Sequence, residues 1–83
     1  MYFTYVLRSK KNARFYTGCT RQLRKRLQEH HRGLNRSTKG RGPFELIYFE
    51  GCLSREATLK RERQLKSGYG KRYLRNRLGA SYF

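Results

Sequence analysis

An excess of positive charge is the feature that most limits what this chain can fold into. Its 83 residues include 21 lysines and arginines but 5 aspartates and glutamates, which gives a formal net charge of +16. A domain of this size buries about 60–65% of the surface that its unfolded chain exposes, so most of these cations must stay at the surface. The remaining apolar side chains suffice for one small core. We therefore expect a single domain over residues 1–83.

The same charge indicates a polyanionic partner, which means DNA, RNA or an anionic membrane. A membrane is the weakest of the three, because no apolar run approaches the ~20 residues of a membrane span and the sequence shows no lipidation motif or secretory signal. Cys19 and Cys52 lack the spacing of a zinc site. We expect free thiols and a monomeric protein of the cytoplasm that associates with the nucleoid.

Residue patterns predict a sheet of three short strands. Runs of aromatic and branched residues place the strands at residues 2–8, 14–17 and 44–50. The first two strands form an antiparallel hairpin through a polar turn, in which Asn12 is expected to take a positive φ. Gly18 is expected to end the second strand.

Three helices complete the predicted order. The first covers residues 21–31 with Thr20 as its N-cap, and the second runs from a Ser54 cap to about residue 66. Gly68 and Gly70 bracket a break, and residues 71–78 form a short basic helix that leads into a basic tail from about residue 75 to 83. The predicted fold is α+β, a small three-stranded antiparallel sheet flanked by helices in the order β-β-α-β-α-α.

Helical spacing brings two polar side chains to the apolar face of the first helix. Residues three or four apart share a helix face, so Arg26 and His30 lie beside Leu23 and Leu27. Taken singly, Arg26 is consistent with a solvated or phosphate-binding cation, and His30 with an ordinary helix-face residue. Their shared position makes them candidates for a functional site.

Glu62 is a further polar residue at an apolar position. It lies on the seam that Ala57, Leu59 and Leu65 are expected to turn inward, where a carboxylate is costly unless something compensates it. Two interpretations remain open. Glu62 is a metal ligand, or it forms a structural ion pair with one of the nearby cations, Arg26, Arg61, Arg63 or Lys66.

Tyr5 and Tyr16 form a second candidate pair. Strand residues alternate between the two faces of a sheet, so the hairpin can bring both phenols to one edge, near the start of the first helix. The alternative is that the two rings pack against each other as ordinary sheet residues.

These residues, taken in order, resemble the GIY-YIG nuclease superfamily. The likeness rests on Tyr5, Tyr16-Thr17-Gly18, Arg26 to His30, and Glu62 within residues 61–68, and it extends from residue 2 to about residue 74. It is closest to the short stand-alone bacterial members, which share their catalytic module with the excision-repair nuclease UvrC. Thr17 replaces the isoleucine of the second motif, and Asn76 is a loose match to the family's late asparagine.

The resemblance implies a role for each motif residue. Tyr5 and Tyr16 match the tyrosines of the two motifs, and Arg26 matches the helix arginine that clamps the phosphate. His30 stands where other branches have His or Tyr. Glu62 matches the glutamate that holds a single divalent ion, Mg²⁺ or Mn²⁺. We expect Tyr16 to act as the general base and Tyr5 to orient the water, with His30 assisting either one.

The implied activity is that of a metal-dependent DNA endonuclease with low sequence specificity, in DNA repair or recombination, with RNA as a possible substrate. Exposed cations are expected to follow the phosphate backbone. These are Lys10, Lys11, Arg36, Lys39, Arg41, Lys71 and Arg72. Two alternatives need the charge but not the chemistry, namely a non-catalytic nucleic-acid-binding module and a ribosome-associated structural protein.

Overall fold

The expected element order, β-β-α-β-α-α, is present in the computed structural model, which describes residues 1–36 and 38–80. The elements are β1 (Tyr2–Ser9), β2 (Phe15–Thr20), α1 (Leu23–His31), β3 (Phe44–Cys52), α2 (Arg55–Leu65) and α3 (Gly68–Leu78). In the described part of the chain, no helix has the length and hydrophobicity that a membrane span requires.

The three strands form one antiparallel sheet in the order β2-β1-β3. The central strand β1 is the most deeply buried, and successive side chains along it point to opposite faces. On one face Val6 packs with Leu65 of α2 and Leu74 of α3. On the other face Tyr5 contacts His30 of α1. The sheet therefore separates an apolar core from a more polar layer under α1.

Strand β2 continues through Gly18, so the prediction that this glycine ends the strand is wrong. Gly18 pairs with Tyr5 in an unbroken register that extends from Arg8↔Phe15 to Phe3↔Thr20. The absence of a side chain at Gly18 leaves space for a residue of the neighbouring strand β1. A Cβ atom at Gly18 would lie 2.6 Å from the Tyr5 hydroxyl oxygen, so glycine here makes room for the tyrosine ring.

The turn between β1 and β2 differs from the prediction at one residue. Ala13, and not Asn12, has the positive φ, at 62°. The Asn12 side chain accepts a hydrogen bond from the Arg14 backbone N–H at 2.9 Å, which stabilises the turn while Asn12 keeps a negative φ. Buried Ser9 donates to the Arg41 carbonyl at 2.6 Å, so the turn is joined to the segment before β3.

The helix starts were predicted with mixed success. Helix α1 begins at Leu23 with Gln22 at its cap position, and the predicted start at residue 21 with a Thr20 cap is wrong. Thr20 instead accepts from the Gln22 N–H at 3.0 Å, one step before the helix. The Ser54 cap of α2 is confirmed, because its hydroxyl accepts from the Ala57 N–H at 3.1 Å.

Helices α2 and α3 differ from the prediction in which residues face inward and in where α3 begins. Ala57 is exposed, and its neighbour Thr58 turns inward with Leu65. Gly70 lies inside α3 and is buried, because the helix passes so close to the Leu65 carbonyl that a side chain would collide with it. The segment expected as a basic tail is helical up to Leu78. Its final part, residues 81–83, lies outside the described residues.

Candidate active site

Tyr5 is the centre of the polar layer beneath α1. Its side chain is 4% exposed, and its ring extends over Gly18 toward the outer strand β2. The hydroxyl lies 2.7 Å from Nε2 of His30. Because His30 is itself buried, this is a hydrogen bond between two side chains that are largely shielded from water.

The Tyr5–His30 pair belongs to a longer hydrogen-bonded chain. Nδ1 of His30 lies 2.7 Å from Oγ1 of Thr38, and that hydroxyl donates to the Asn35 carbonyl at 3.4 Å. A hydroxyl that donates to a carbonyl can accept from Nδ1–H, which leaves Nε2 free to accept from the phenol. This arrangement satisfies each group and selects the neutral His30 tautomer with its proton on Nδ1.

The electrostatic environment keeps both members of the pair neutral. Burial raises the pKa of Tyr5 to about 12, partly offset by the charge of Arg26. Burial also lowers the pKa of His30 below its ordinary value, and the Arg26 charge lowers it further. A protonated phenol therefore faces the unshared electron pair of a neutral imidazole.

Arg26 lies one helical turn before His30 and remains partly accessible. Its side chain is 38% exposed, and its Nε is 3.6 Å from Oε1 of Glu29. The charge of Arg26 influences the pKa values of both Tyr5 and His30. The guanidinium thus lies close to the buried pair while it stays open to a phosphate from solution.

Glu62 of α2 contacts strand β2 at Cys19, which pairs with Thr4 and points to the sheet face opposite Tyr5. Its Oε1 accepts from the Cys19 thiol at 3.2 Å, and its Oε2 lies 2.9 Å from Nζ of Lys66. Burial raises the pKa of Cys19 to about 11, with the Glu62 carboxylate adding to this effect. The negative charge of Glu62 also raises the pKa of Tyr5. Of the ion pairs considered from the sequence, the structure forms the one with Lys66.

Glu62 offers one carboxylate as a ligand for a metal ion. Within residues 1–36 and 38–80, no three His, Cys, Asp or Glu side chains cluster closely enough to hold a metal. A single carboxylate suits Mg²⁺ or Mn²⁺, since Mg²⁺ usually keeps several waters and takes one or two carboxylates together with substrate phosphate oxygens. A closed zinc site would need about four protein ligands. The donor set is therefore consistent with the hydrated ion expected from the sequence.

Tyr16 lies on the same face as Tyr5 but has different partners. It pairs with Leu7, two residues along from the Tyr5↔Gly18 pair, so the two tyrosines are diagonal neighbours. The Tyr16 hydroxyl accepts from the Asn12 amide at 3.4 Å. This hydrogen bond, followed by the hydrogen bond and charge of Arg41, lowers the pKa of Tyr16.

Phe44 connects the two tyrosine environments. Its ring meets Tyr16 edge-on at 5.4 Å between centroids and meets His30 at 6.3 Å. The structure thus brings Tyr5 and His30 into direct contact, keeps the charges of Arg26 and Glu62 within electrostatic range of Tyr5, and separates Tyr16 from His30 by the Phe44 ring.

Two residues of this site were not anticipated from the sequence. Thr38 lies in the loop before β3, where no periodic pattern indicates which side chain points inward. Cys19 was expected to be an ordinary small residue, and its contact with Glu62 depends on how α2 crosses β2. The alternation of β2 residues, which turns Thr17 and Cys19 to the α2 face, was the available signal for Cys19.

The cations expected to bind a phosphate backbone lie in two groups around this site. Lys10 and Lys11 are in the β1–β2 turn, and Lys11 donates to the Gly40 carbonyl at 3.2 Å. That contact places the turn beside the loop before β3. The loop contains three further expected cations, Arg36, Lys39 and Arg41.

The second group is on α3. Lys71 lines a cavity of about 280 Å³ together with Lys66 and Tyr16, so this cation adjoins the β2 edge. Arg72 follows it on the same helix and is exposed. Cations therefore border the candidate site on both the loop side and the α3 side.

Comparisons with known proteins place this geometry in a family. Residues 1–76 match the family described as the GIY-YIG catalytic domain. A UPF0213 protein of Clostridium perfringens is 39% identical over 77 residues, covering 92% of this chain and 76% of the relative. A UPF0213 protein of Oceanobacillus iheyensis is 35% identical over 66 residues, covering 78% of this chain and 76% of the relative.

A solved structure shows the same fold. The solution NMR structure of a UPF0213 protein from Bacillus halodurans matches with a TM-score of 0.58 and 31% sequence identity, covering 99% of this chain and 90% of that one. The three-stranded antiparallel sheet and its three helices are therefore an arrangement that this chain shares with a related protein.

Proposed function

This chain belongs to the GIY-YIG catalytic domain family, and from that membership we propose that it is a divalent-metal-dependent endonuclease that hydrolyses phosphodiester bonds in DNA. The family is one of nucleases, and its UPF0213 members include the relatives described above.

One observation carries the proposal. The hydroxyl of a buried phenol lies 2.7 Å from Nε2 of a buried imidazole, and the charges of Arg26 and Glu62 both act on that phenol. A module that only binds nucleic acid does not require a buried hydrogen bond between a tyrosine and a histidine, because exposed cations supply its affinity. The pair favours catalysis over the non-catalytic and ribosome-associated alternatives.

We assign the proton transfer to Tyr5 and His30 acting together. Water transfers a proton to the Tyr5 oxygen while the phenol proton moves to Nε2 of His30, and the resulting hydroxide attacks phosphorus as the bond to the leaving oxygen breaks. The leaving oxygen takes a proton from solvent, and His30 returns its proton to solvent after the product leaves. The imidazolium then keeps its Nδ1–H bond to Thr38, which holds the ring in position. Tyr16, with its lowered pKa, is a second candidate for the proton acceptor.

The remaining side chains neutralise charge and position the phosphate. The planar Arg26 guanidinium can donate to two phosphate oxygens at once, which a lysine cannot do as well. Glu62 would hold the Mg²⁺ or Mn²⁺ ion once it exchanged its contact with Lys66. When bound, the ion supplies Lewis-acid neutralisation of the phosphate charge. We assign the surrounding cations to backbone binding with low sequence specificity, as suits a role at the nucleoid in DNA repair or recombination.

The test is the cleavage of defined DNA and RNA structures by wild type and Glu62→Gln with Mg²⁺ or Mn²⁺. We expect Glu62→Gln to abolish cutting and to leave DNA affinity nearly unchanged, because it removes a metal ligand and no backbone contact. Glu56→Gln, an exposed glutamate in the first turn of the same helix, is the matched control and should cut normally. If wild type leaves every substrate intact with either ion, the protein is a binding module.

A further inference from the structure

The sheet face that carries Tyr5 also presents an exposed aromatic pair. Phe49 of β3 is 52% exposed, and the ring of Phe3 meets it edge-on with centroids 6.3 Å apart. Phe49 pairs directly with Tyr5, and Phe3 lies two residues before Tyr5 on β1, so all three share one face. Tyr5 is covered by α1, whereas Phe49 remains open to solvent.

A cationic cavity adjoins this pair on the same face. It has a volume of about 540 Å³ and lies between the start of β1 and the start of α1. Its lining residues are Met1, Thr20, Arg21, Gln22, Lys25, Arg26 and Glu29. Thr20 pairs with Phe3 across β1 and β2, so the cavity begins where the aromatic pair ends. Lys25 and Arg26 line the cavity with one carboxylate, Glu29, which already pairs with Arg26. The Arg21 guanidinium lies over the Tyr2 ring, 5.2 Å from its centroid, at the rim of the cavity.

Aromatic rings beside cations match the chemistry of a nucleotide whose base is not paired. Proteins that bind single-stranded nucleic acid stack bases on aromatic side chains while cations track the phosphates. Duplex DNA keeps its bases stacked inside the helix and offers them to no such ring. We propose that Phe49 and Phe3 form a stacking platform for an unpaired nucleobase, with Lys25 holding the adjacent phosphate.

The charge of the surface argues against a second copy of this chain as the occupant. The whole chain carries a net charge of +16, and the platform is bordered by Arg21 and Lys25, so two copies would repel each other at this face. This inference rests on the proposed function, because the platform lies beside Tyr5 and Arg26 of the candidate active site. The substrate of the active site would then be nucleic acid, DNA or RNA, with unpaired bases.

The chain contains no tryptophan, so Phe49→Trp introduces a single tryptophan, on the platform, whose emission can be excited separately from that of the tyrosines. The titration uses Phe49→Trp combined with Glu62→Gln, without divalent ions, so that binding is measured where no cutting is possible. Oligothymidylate of about eight nucleotides, the matching oligouridylate and a blunt duplex are compared. We expect saturable quenching by the single strands and little by the duplex. Tyr69→Trp, on α3 across the sheet, should be quenched weakly.

A second measurement separates stacking from charge. Phe49→Leu keeps an apolar side chain but removes the aromatic ring, and we expect it to weaken single-strand binding about tenfold, the loss of one stacked base. Phe49→Tyr should bind as wild type, and Leu53→Ala, at an exposed leucine just after β3, should have no effect. Duplex affinity should be unchanged in all three variants. Circular dichroism verifies that each variant is folded.

The outcomes distinguish this proposal from the proposed function. Equal quenching of the two tryptophan reporters, or a Phe49→Leu variant that binds single strands as tightly as wild type, overturns the platform even if the enzyme cuts DNA. Sedimentation that shows a wild-type dimer and a Phe49→Leu monomer assigns the face to a second copy and also overturns it. Selective quenching with no cutting by wild type supports the platform and rejects the nuclease.

Discussion

Two carboxylates at opposite edges of the sheet show how similar side chains differ in availability. Glu50 lies on the outer strand β3, and Glu62 meets Cys19 on the outer strand β2. Helix α2 reaches both sites through consecutive residues, with Arg61 pairing with Glu50 and Glu62 extending to the other edge. Glu50 and Glu62 are therefore contacted from two sides of one helix.

Glu50 is held by strong donors. Its Oε1 accepts from the Tyr48 hydroxyl at 2.8 Å and from Nε of Arg61 at 3.0 Å. The Tyr48 hydroxyl is also 2.9 Å from that of Tyr73, whose ring lies 4.3 Å from the Arg61 guanidinium. Burial and these hydrogen bonds raise the pKa of Tyr48 well above its ordinary value. The cluster joins β3, α2 and α3, so its parts cannot be exchanged without loss of structure.

Glu62 is held by weak partners. Lys66 is 55% exposed while Glu62 is 19% exposed, and an ion pair with such an exposed lysine is worth about 0–1 kcal/mol. The other partner is a thiol, which is a weak donor. A metal ion can replace both at little cost. The contrast teaches that a carboxylate available for chemistry is one whose structural contacts are easily given up.

The largest expected effect separates catalysis from binding. Arg26→Ala should lower the cutting rate by about 100- to 1,000-fold, because the guanidinium stabilises charge that develops on the phosphate. Arg72→Ala, at an exposed cation of α3, should mostly reduce the salt dependence of DNA binding. Single-turnover rates and binding measured over a range of salt concentrations check both expectations. Equal effects of the two substitutions would mean that the site is misplaced.

The next effect is on stability, and it compares how much Glu50 and Glu62 each contribute to the free energy of unfolding. Glu50→Gln should lower the free energy of unfolding by about 1.5–3 kcal/mol, since it weakens hydrogen bonds to a charged group. Glu62→Gln should change it by less than about 1 kcal/mol. Urea denaturation of both variants measures the difference. A Glu62→Gln variant that is destabilised as much as Glu50→Gln would remove the distinction between the two clusters.

The sequence predicts well those features that depend on local periodicity. Runs of aromatic and branched residues predicted the three strands and helical spacing predicted the helices, which is why the fold class is confirmed by the structure and by its relative. The i, i+4 rule put Arg26 and His30 on one helix face, and the apolar seam made Glu62 conspicuous. The assignment of these residues to catalysis stays a prediction.

Features that depend on the path of the chain in space were not predictable in this way. Thr38 reaches His30 because the loop before β3 folds back over α1, and loop residues show no period from which this could be inferred. Gly18 looked like a strand ending because its role depends on the Tyr5 ring across the hairpin. The Glu50–Arg61 pair likewise needs the packing of α2 on β3, which no local pattern specifies.

A smaller effect is expected from the residue that orients His30. Thr38→Val keeps the shape but removes the hydroxyl that accepts from Nδ1–H, so cutting should fall about tenfold, the weight of one hydrogen bond. Thr38→Ser should restore most of the rate. Nitrogen NMR shifts of His30 should show the Nδ1–H tautomer in wild type and a mixture in Thr38→Val. The control is Thr58→Val, a buried threonine on the other face, which should leave the tautomer unchanged.

The smallest effect is the pH dependence of stability that His30 should produce. Its pKa in the folded protein is lowered below the ordinary value of 6.5, first by burial and then by the charge of Arg26. Between these two pKa values the unfolded chain binds more protons than the folded one, so the free energy of unfolding should fall as pH drops through this window. Above pH 6.5 His30 is neutral in both states and contributes no pH dependence.

Two neighbouring histidines provide the control for this prediction. His31 follows His30 on α1 but is exposed, so His31→Gln should leave the decline in the free energy of unfolding intact, whereas His30→Gln should remove it. Urea denaturation at a series of pH values on either side of 6.5 measures the decline. If both variants retain it, a group other than His30 is responsible. His30 would then not be held neutral by its surroundings, which would contradict its proposed role as the proton acceptor for Tyr5.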